Sequence, residues 1–168
     1  GGNGGNIYIQ GSTNINDLRE FRFKKKMIAQ DGVPGGRQKL FGKNAEHLTI
    51  RVPLGTSITD TNSGKVYEIT DETRLLLIAS GGKGVKQSGV VAMSGGVDSS
   101  AAACLLKAQG YDVIGMTLKT WPKELCDTVP KSQTCCSTRD IEDARAVAAR
   151  LEIPFYVVEA SVPFKSNV

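Results

Sequence analysis

Apolar and polar positions set one rhythm in the first half of the chain and another in the second. Ile7-Tyr8-Ile9 alternates as a short strand. Leu18 through Phe23 is mixed, and Lys24-Lys25-Lys26 is a charge run that reads as a solvated face. Leu48-Thr49-Ile50-Arg51-Val52 alternates cleanly and stops at Pro53, which predicts a strand. Thr56–Asp60 and Val66–Ile69 flank Thr61-Asn62-Ser63-Gly64, a hairpin signal. Leu75–Ala79 is a further strand. No helical period occurs here, so this half reads as all-β. Three glycine segments interrupt it, at 1–6, 32–36 and 81–84. On composition alone the first of them reads as a flexible linker.

After Val85 the pattern changes. Gly89–Met93 is a short apolar strand. Ser99 to Gln109 reads as a helix, with Ala101, Cys104, Leu105 and Ala108 on its apolar face and Gly110 as its stop. Tyr111–Leu118 is a strand, and 119–136 is a long polar loop. Ser137 begins a second helix, with Asp140 placed as in a capping box. Its stripe is Ile141, Ala144, Val147, Ala148 and Leu151. Pro154 then leads into the strand Phe155–Val158. The order β-α-β-α-β implies a parallel sheet with right-handed crossovers. Three such strands leave one side of the first strand without a neighbour, an exposed edge prone to pairing.

Composition sharpens the division. Residues 1–84 hold 14 of the 19 glycines, and residues 85–168 hold five. The first half has 12 Lys/Arg against 8 Asp/Glu, the second nine of each, so the whole +4 charge sits in the first half. Two compositions predict two modules, 1–84 and 85–168. No run of 18 apolar residues spans a membrane, and the Gly-Asn start shows no secretory h-region. Cys104, Cys126, Cys135 and Cys136 lack a disulfide spacing, which points to a reducing, cytoplasmic setting.

Candidate chemistry concentrates at Ser94-Gly95-Gly96-Val97-Asp98-Ser99-Ser100. The segment joins a buried strand to a helix start, where unpaired amides and the positive end of the helix dipole face an anion. Gly95 and Gly96 let the backbone approach phosphate oxygens, and Ser94, Ser99 and Ser100 add hydroxyls. Asp98 suits such a site when a cation lies between it and the phosphates, and Mg²⁺ is the usual hard cation. The loop lacks the Gly-Lys-Ser/Thr of a Walker A motif. A bare Gly-Gly turn with Asp98 as a cap is the plainer alternative, but seven residues of this type between strand and helix favour phosphate.

Ser-Gly-Gly-Val-Asp-Ser-Ser resembles the signature of the N-type ATP pyrophosphatases. Flanking residues resemble the tRNA-specific 2-thiouridylases within that group. They are Val91-Ala92-Met93, Gly110-Tyr111-Asp112-Val113-Ile114-Gly115, Lys119-Thr120-Trp121, Cys135-Cys136-Ser137 with Asp143-Ala144-Arg145, and Ile153-Pro154-Phe155-Tyr156-Val157. The match runs nearly continuously over 88–160. It implies an adenine-nucleotide α-hydrolase-like fold, incomplete here. It also implies ATP and Mg²⁺ as ligands, and tRNA as partner. ATP would adenylate O2 of a wobble uridine, and a cysteine persulfide would deliver sulfur to C2. By position, Ala92, Met93, Ser94, Gly95, Gly96, Val97, Asp98 and Ser99 would line the triphosphate, with Ser100 beside them. Leu118 would meet the adenine through its backbone, and Asp98 would organise Mg²⁺. Glu152 departs from the family, which has Gly before Ile-Pro, and this costs a favourable helix end. The family's nucleophilic cysteine is expected beyond Val168, so no catalytic residue is assigned. Cys126, Cys135 and Cys136 could bind a metal, but without a CxxC or a nearby His they read as loop thiols; Cys104 reads as core.

Gly1–Asn6 with Ile7-Tyr8-Ile9, Gly42–Leu48, Ile50-Arg51-Val52-Pro53-Leu54-Gly55-Thr56 and Ile78–Gly84 resemble the glycine-rich N-terminal domain of Obg-type GTPases. That resemblance implies glycine segments packed as polyproline-type helices on a small β-barrel, which replaces the linker reading. No Gly-x-x-x-x-Gly-Lys-Ser/Thr is present, so GTPase activity is not implied. Ribosome or RNA contact through Arg19, Arg22, Lys24, Lys25, Lys26 and Arg37 is one expectation, and a solvated basic face is the other. His47, ahead of a strand, is given no catalytic role. Three readings remain: an ATP-binding portion of a 2-thiouridylase whose cysteines come from elsewhere, an RNA-binding module without GTPase activity, or a truncated chimera without function.

Overall fold

A computed structural model describes residues 2–15, 18, 24, 26–36, 42–82, 87–119 and 138–160. In the first half the strands are β1 (Ile7–Ser12), β2 (Lys26–Ile28), β3 (Leu48–Pro53), β4 (Thr56–Asp60), β5 (Val66–Ile69) and β6 (Leu75–Ala79). In the second half follow β7 (Ser88–Ala92), α1 (Val97–Ala108), β8 (Asp112–Lys119), α2 (Thr138–Arg150) and β9 (Phe155–Ala160). The alternating segments of the sequence all become strands. β2, at the end of the lysine run, is the strand that its charge concealed.

The glycine segments are ordered by each other. Gly2 N–H donates to Val33 C=O at 2.9 Å, and Val33 N–H to Lys43 C=O at 2.9 Å. Ala45 N–H donates to Asn3 C=O at 2.9 Å, and Gly4 N–H to Gly82 C=O at 3.1 Å. The segments lie so close that a Cβ on Gly2, Gly42 or Gly81 would come within 3.0 Å of a neighbouring carbonyl. Only glycine fits such backbone-to-backbone packing, as in collagen. The linker reading from composition is therefore wrong, since the glycine segments are held against other backbone segments.

The strands form a three-stranded sheet, β3-β1-β6, and a six-stranded sheet, β2-β7-β8-β9-β4-β5. The expected parallel set is present, since β7 pairs with β8 and β8 with β9 in parallel. It is not a separate sheet, however. β2 pairs antiparallel with β7, and β4 pairs antiparallel with β9. The edge of β7, expected to be exposed, is taken by a strand from the first half. Sequence periodicity is blind to this pairing because it joins residues far apart in the chain.

Side chains alternate across the parallel strands. Val91, Val113 and Phe155 pack with Ala103 and Leu106 of α1 and Ala144 and Ala148 of α2. Val90, Ile114, Met116 and Val158 pack with Ile7, Ile9, Ile50 and Ile58 of the first half. Both crossovers step the same way along the sheet, so right-handed connections put both helices on one face. The opposite face is covered by first-half residues. α2 buries the stripe read from its sequence.

α1 turns its other side inward. Ala103 and Leu106 are buried, while Ala101, Cys104, Leu105 and Ala108 are exposed, Leu105 by 63%. Apolar residues run without a break from Ala101 to Leu106, so two stripes compete and composition does not choose between them. Cys104 is accordingly an exposed free thiol, not a core residue.

Candidate functional site

The loop after β7 is held from below by three contacts. Met93 N–H donates to Met116 C=O at 2.8 Å, which continues the β7–β8 ladder past its last paired residue. The buried Thr117 hydroxyl donates to Met93 C=O at 2.6 Å. Met93 itself is buried, and its sulfur lies where a side chain on Gly115 would stand. The chain then turns at Gly95, whose φ of +75° lies in the left-handed region. A Cβ on Gly95 would also fall 2.6 Å from the carbonyl oxygen of Asp140. Gly95 is thus required twice, for its dihedral and for the approach of α2.

Gly96 is the N-cap of α1, with extended φ and ψ of −81° and 162° and no side-chain cap bond. Helix geometry leaves the amides of Gly96, Val97, Asp98 and Ser99 without an intrahelical acceptor. Ser100 N–H is the first to close the helix, donating to Gly96 C=O at 3.2 Å. The Ser99 and Ser100 hydroxyls donate to that same carbonyl at 3.0 and 2.9 Å. Ser94 N–H donates to the Ser99 hydroxyl oxygen at 3.3 Å. These bonds draw the serines onto the loop and leave its amide face uncapped by side chains.

Ala92 and Gly95 are half-buried, and Ser94, Gly96, Val97 and Asp98 are exposed, with Val97 at 84%. The expected residues 92–100 therefore lie in one continuous strand–turn–helix start. The helix begins at Val97, two residues earlier than its sequence suggested. Leu118 stands further along β8 on the sheet face opposite the helices, packed against the shared core. Its side chain is therefore not on the loop side of the sheet.

Thr117 and Asp140 are participants that sequence reasoning passed over. A lone polar residue near the carboxyl end of an apolar strand was the available signal for Thr117. For Asp140 the sequence offered only an expected capping box with Ser137, which lies outside the described residues, and not its approach to Gly95. At the same end, Lys119 and Glu159 pair at 2.7 Å between β8 and β9. A cavity of about 310 Å³ opens at the other end of the parallel strands, lined by Ser88, Lys107, Tyr111, Asp112 and Pro154 among others. No loop residue lines it. In open α/β sheets ligands sit outside the carboxyl ends of the strands, which favours the loop over the cavity.

Among the described residues no three His, Cys, Asp or Glu side chains gather as metal ligands. Cys126, Cys135 and Cys136 lie outside the described residues, as do Arg19, Arg22, Lys25 and Arg37 of the basic segment. Lys24 and Lys26 are exposed. His47 accepts a hydrogen bond from Asn6 N–H at 3.0 Å and meets the Tyr8 ring edge-on, a structural role. Among the described residues no helix is long and apolar enough to cross a membrane.

Comparison with known proteins follows the same division. Residues 1–96 match the GTP1/OBG family, and residues 87–168 match the tRNA methyl transferase HUP domain. A tRNA-specific 2-thiouridylase of Lachnoclostridium phytofermentans is 53% identical over 79 residues, 47% of this chain and 22% of that protein. The Leptospira biflexa protein of the same name is 54% identical over 85 residues, 49% of this chain and 22% of its own. One from Clostridium perfringens is 51% identical over 83 residues, 49% of this chain and 23% of its own. The chain thus spans about a fifth of the length of these relatives. The chain belongs to the GTP1/OBG family, whose match covers residues 1–96, and its residues 87–168 are similar to the tRNA methyl transferase HUP domain.

Proposed function

We propose that the amides of Gly95–Ser99 bind the triphosphate of ATP, and that residues 87–160 form the nucleotide-binding portion of a tRNA 2-thiouridylase. One observation carries the reading. Gly95 turns the chain so that a helix start with no side-chain cap opens at the carboxyl end of β7. Four amides with no helical acceptor and the positive helix end suit a polyanion. Gly96 leaves the approach clear, since a Cβ there would meet only the Ser94 hydroxyl, at 3.6 Å. Asp98 is exposed in the first turn of α1, where a lone carboxylate opposes a polyphosphate unless Mg²⁺ lies between them. Asp98 would hold that ion, which would neutralise phosphate charge. Ala92, Met93, Val97 and Ser100 shape the rim, and the Leu118 backbone is the candidate contact for adenine.

The relatives carry the name tRNA-specific 2-thiouridylase, which supports tRNA as the partner of this site. In the reaction proposed, the uridine O2 attacks the α-phosphorus and pyrophosphate leaves. The outer sulfur of a cysteine persulfide then displaces AMP at C2, and a second thiol attacks the inner sulfur, so that the S–S bond breaks, a disulfide forms and the sulfur stays on C2. The chain's share is to bind and orient ATP. No described residue is assigned to the sulfur step.

Isothermal titration with ATP and Mg²⁺ tests the binding step. The parent chain should release heat on titration. Gly96→Val should fold yet lose at least tenfold in affinity by crowding the amides, and Asp98→Ala should lose affinity only when Mg²⁺ is present. A parent chain that gives no heat, or a Gly96→Val variant that binds as the parent does, would remove the proposal.

A further inference from the structure

The family matches divide the chain near residues 87–96, but the sheets ignore that division. β2 of the first half hydrogen-bonds to β7, in the register Met27↔Val90. Ala29 N–H extends the pairing to Ser88 C=O at 3.0 Å. Alternation of antiparallel bonds makes Met27 and Val90 the next hydrogen-bonded pair. Beside them the Gln87 side-chain amide donates to the Asp31 carboxylate. On the far side, β4 pairs with β9 over five residues, from Thr56↔Ala160 to Asp60↔Tyr156. Thr61 adds two bonds to Phe155 C=O, from its N–H at 3.0 Å and its hydroxyl at 2.8 Å.

Burial tells the same story. Parallel strands survive when both of their faces are covered. Here both helices lie on one face, so among the described residues the cover over Val90, Ile114, Met116 and Val158 comes from outside 87–160. First-half residues Ile7, Ile9, Ile50, Val52, Ile58 and Ile69 supply it, each 3% exposed or less. The dependence runs both ways, because among the described residues Ile7 and Ile9 of the sheet β3-β1-β6 are buried in the same cluster as Val90, Ile114, Met116 and Val158.

We infer that the nucleotide half presents a strand-accepting surface whose partner is the glycine-rich half of the same chain, and that the two form one cooperative folding unit. The surface consists of the free edge of β7, the free edge of β9 and the apolar sheet face between them. Its partner is an apolar β layer with two strands offered antiparallel, β2 and β4. Because β7 leads directly into Gly95, the docking of β2 also fixes the strand on which the loop stands.

The test uses the full chain with a specific protease site placed within residues 83–86. After cleavage of the folded protein, the two pieces should co-elute as a one-to-one complex and melt in a single transition. Separation with loss of amide protection in both pieces also supports the inference. Separation with either piece still protected overturns it. A second measurement needs no cleavage. Ile9→Ala, in the first half, should raise amide exchange in α2 by the same factor as in β3. A rise confined to β1, β3 and β6 would overturn the inference. Neither readout involves nucleotide, so failure of ATP binding and failure of this inference are separable.

Discussion

Glu152 shows how one residue can carry a legible cost. It ends α2 with a φ of +50°, the single non-glycine residue with positive φ among the described residues. Ile153 N–H and Glu152 N–H close back on Ala148 and Ala149, so the left-handed conformation is enforced by the helix end. A side chain there costs about 1 kcal/mol relative to glycine. Glu152→Gly should therefore raise the melting temperature, and thermal unfolding would show it. Asp60 has the opposite effect. Burial pushes its carboxyl up, but bonds from Ser63 and Asn62 and the charge of Lys65 outweigh burial and leave it below the usual aspartate value. A depressed folded pKa stabilises above the unfolded value of about 3.9, and that stability is lost as pH falls through the folded pKa. Acid melts of the parent should thus fall more steeply below about pH 4 than those of Asp60→Asn. At this scale the sequence was most informative where local chemistry decides, at Gly95 and Glu152. Thr117 and Asp140 were opaque because their partners lie 24 and 45 residues away, counting from Met93 and Gly95.

Among elements, strands were legible and orientations were not. Alternation placed β3, β4 and β5 because each has one wet face, and Pro53 and Gly64 closed them. β2 escaped notice because it is three residues long and opens on lysine. For α1, the apolar run left its inward face undetermined, and packing on β7 and β8 chose Ala103 and Leu106. That choice is measurable. Leu106→Ala should cost about 2–5 kcal/mol, as large-to-small core changes do. Leu105→Ala should stay within about 0.5 kcal/mol, as exposed changes do. Denaturant melts of the two variants would check it, and equal costs would restore the stripe read from sequence. The lysine on the same helix has a tertiary role, since Lys107 Nζ donates to Leu151 C=O at the end of α2. It joins the carboxyl ends of both helices, as Gly95 and Asp140 join their amino ends.

The whole molecule is where sequence and structure part furthest. Two compositions predicted two modules, and two family matches describe two segments, yet one six-stranded sheet runs through both. Strand pairing between residues such as Thr56 and Ala160 depends on long-range register, which no local pattern encodes. The loop nevertheless stands where an α/β sheet places ligands, and the account turns on its amides meeting phosphate. Amide-resolved NMR of the labelled chain, titrated with ATP and Mg²⁺, addresses that most directly. Saturable shifts should centre on Gly95, Gly96, Val97, Asp98 and Ser99 and vanish in Gly96→Val. Shifts centred instead on Tyr111, Asp112 and Ile153 around the opposite cavity, or none at all, would contradict it.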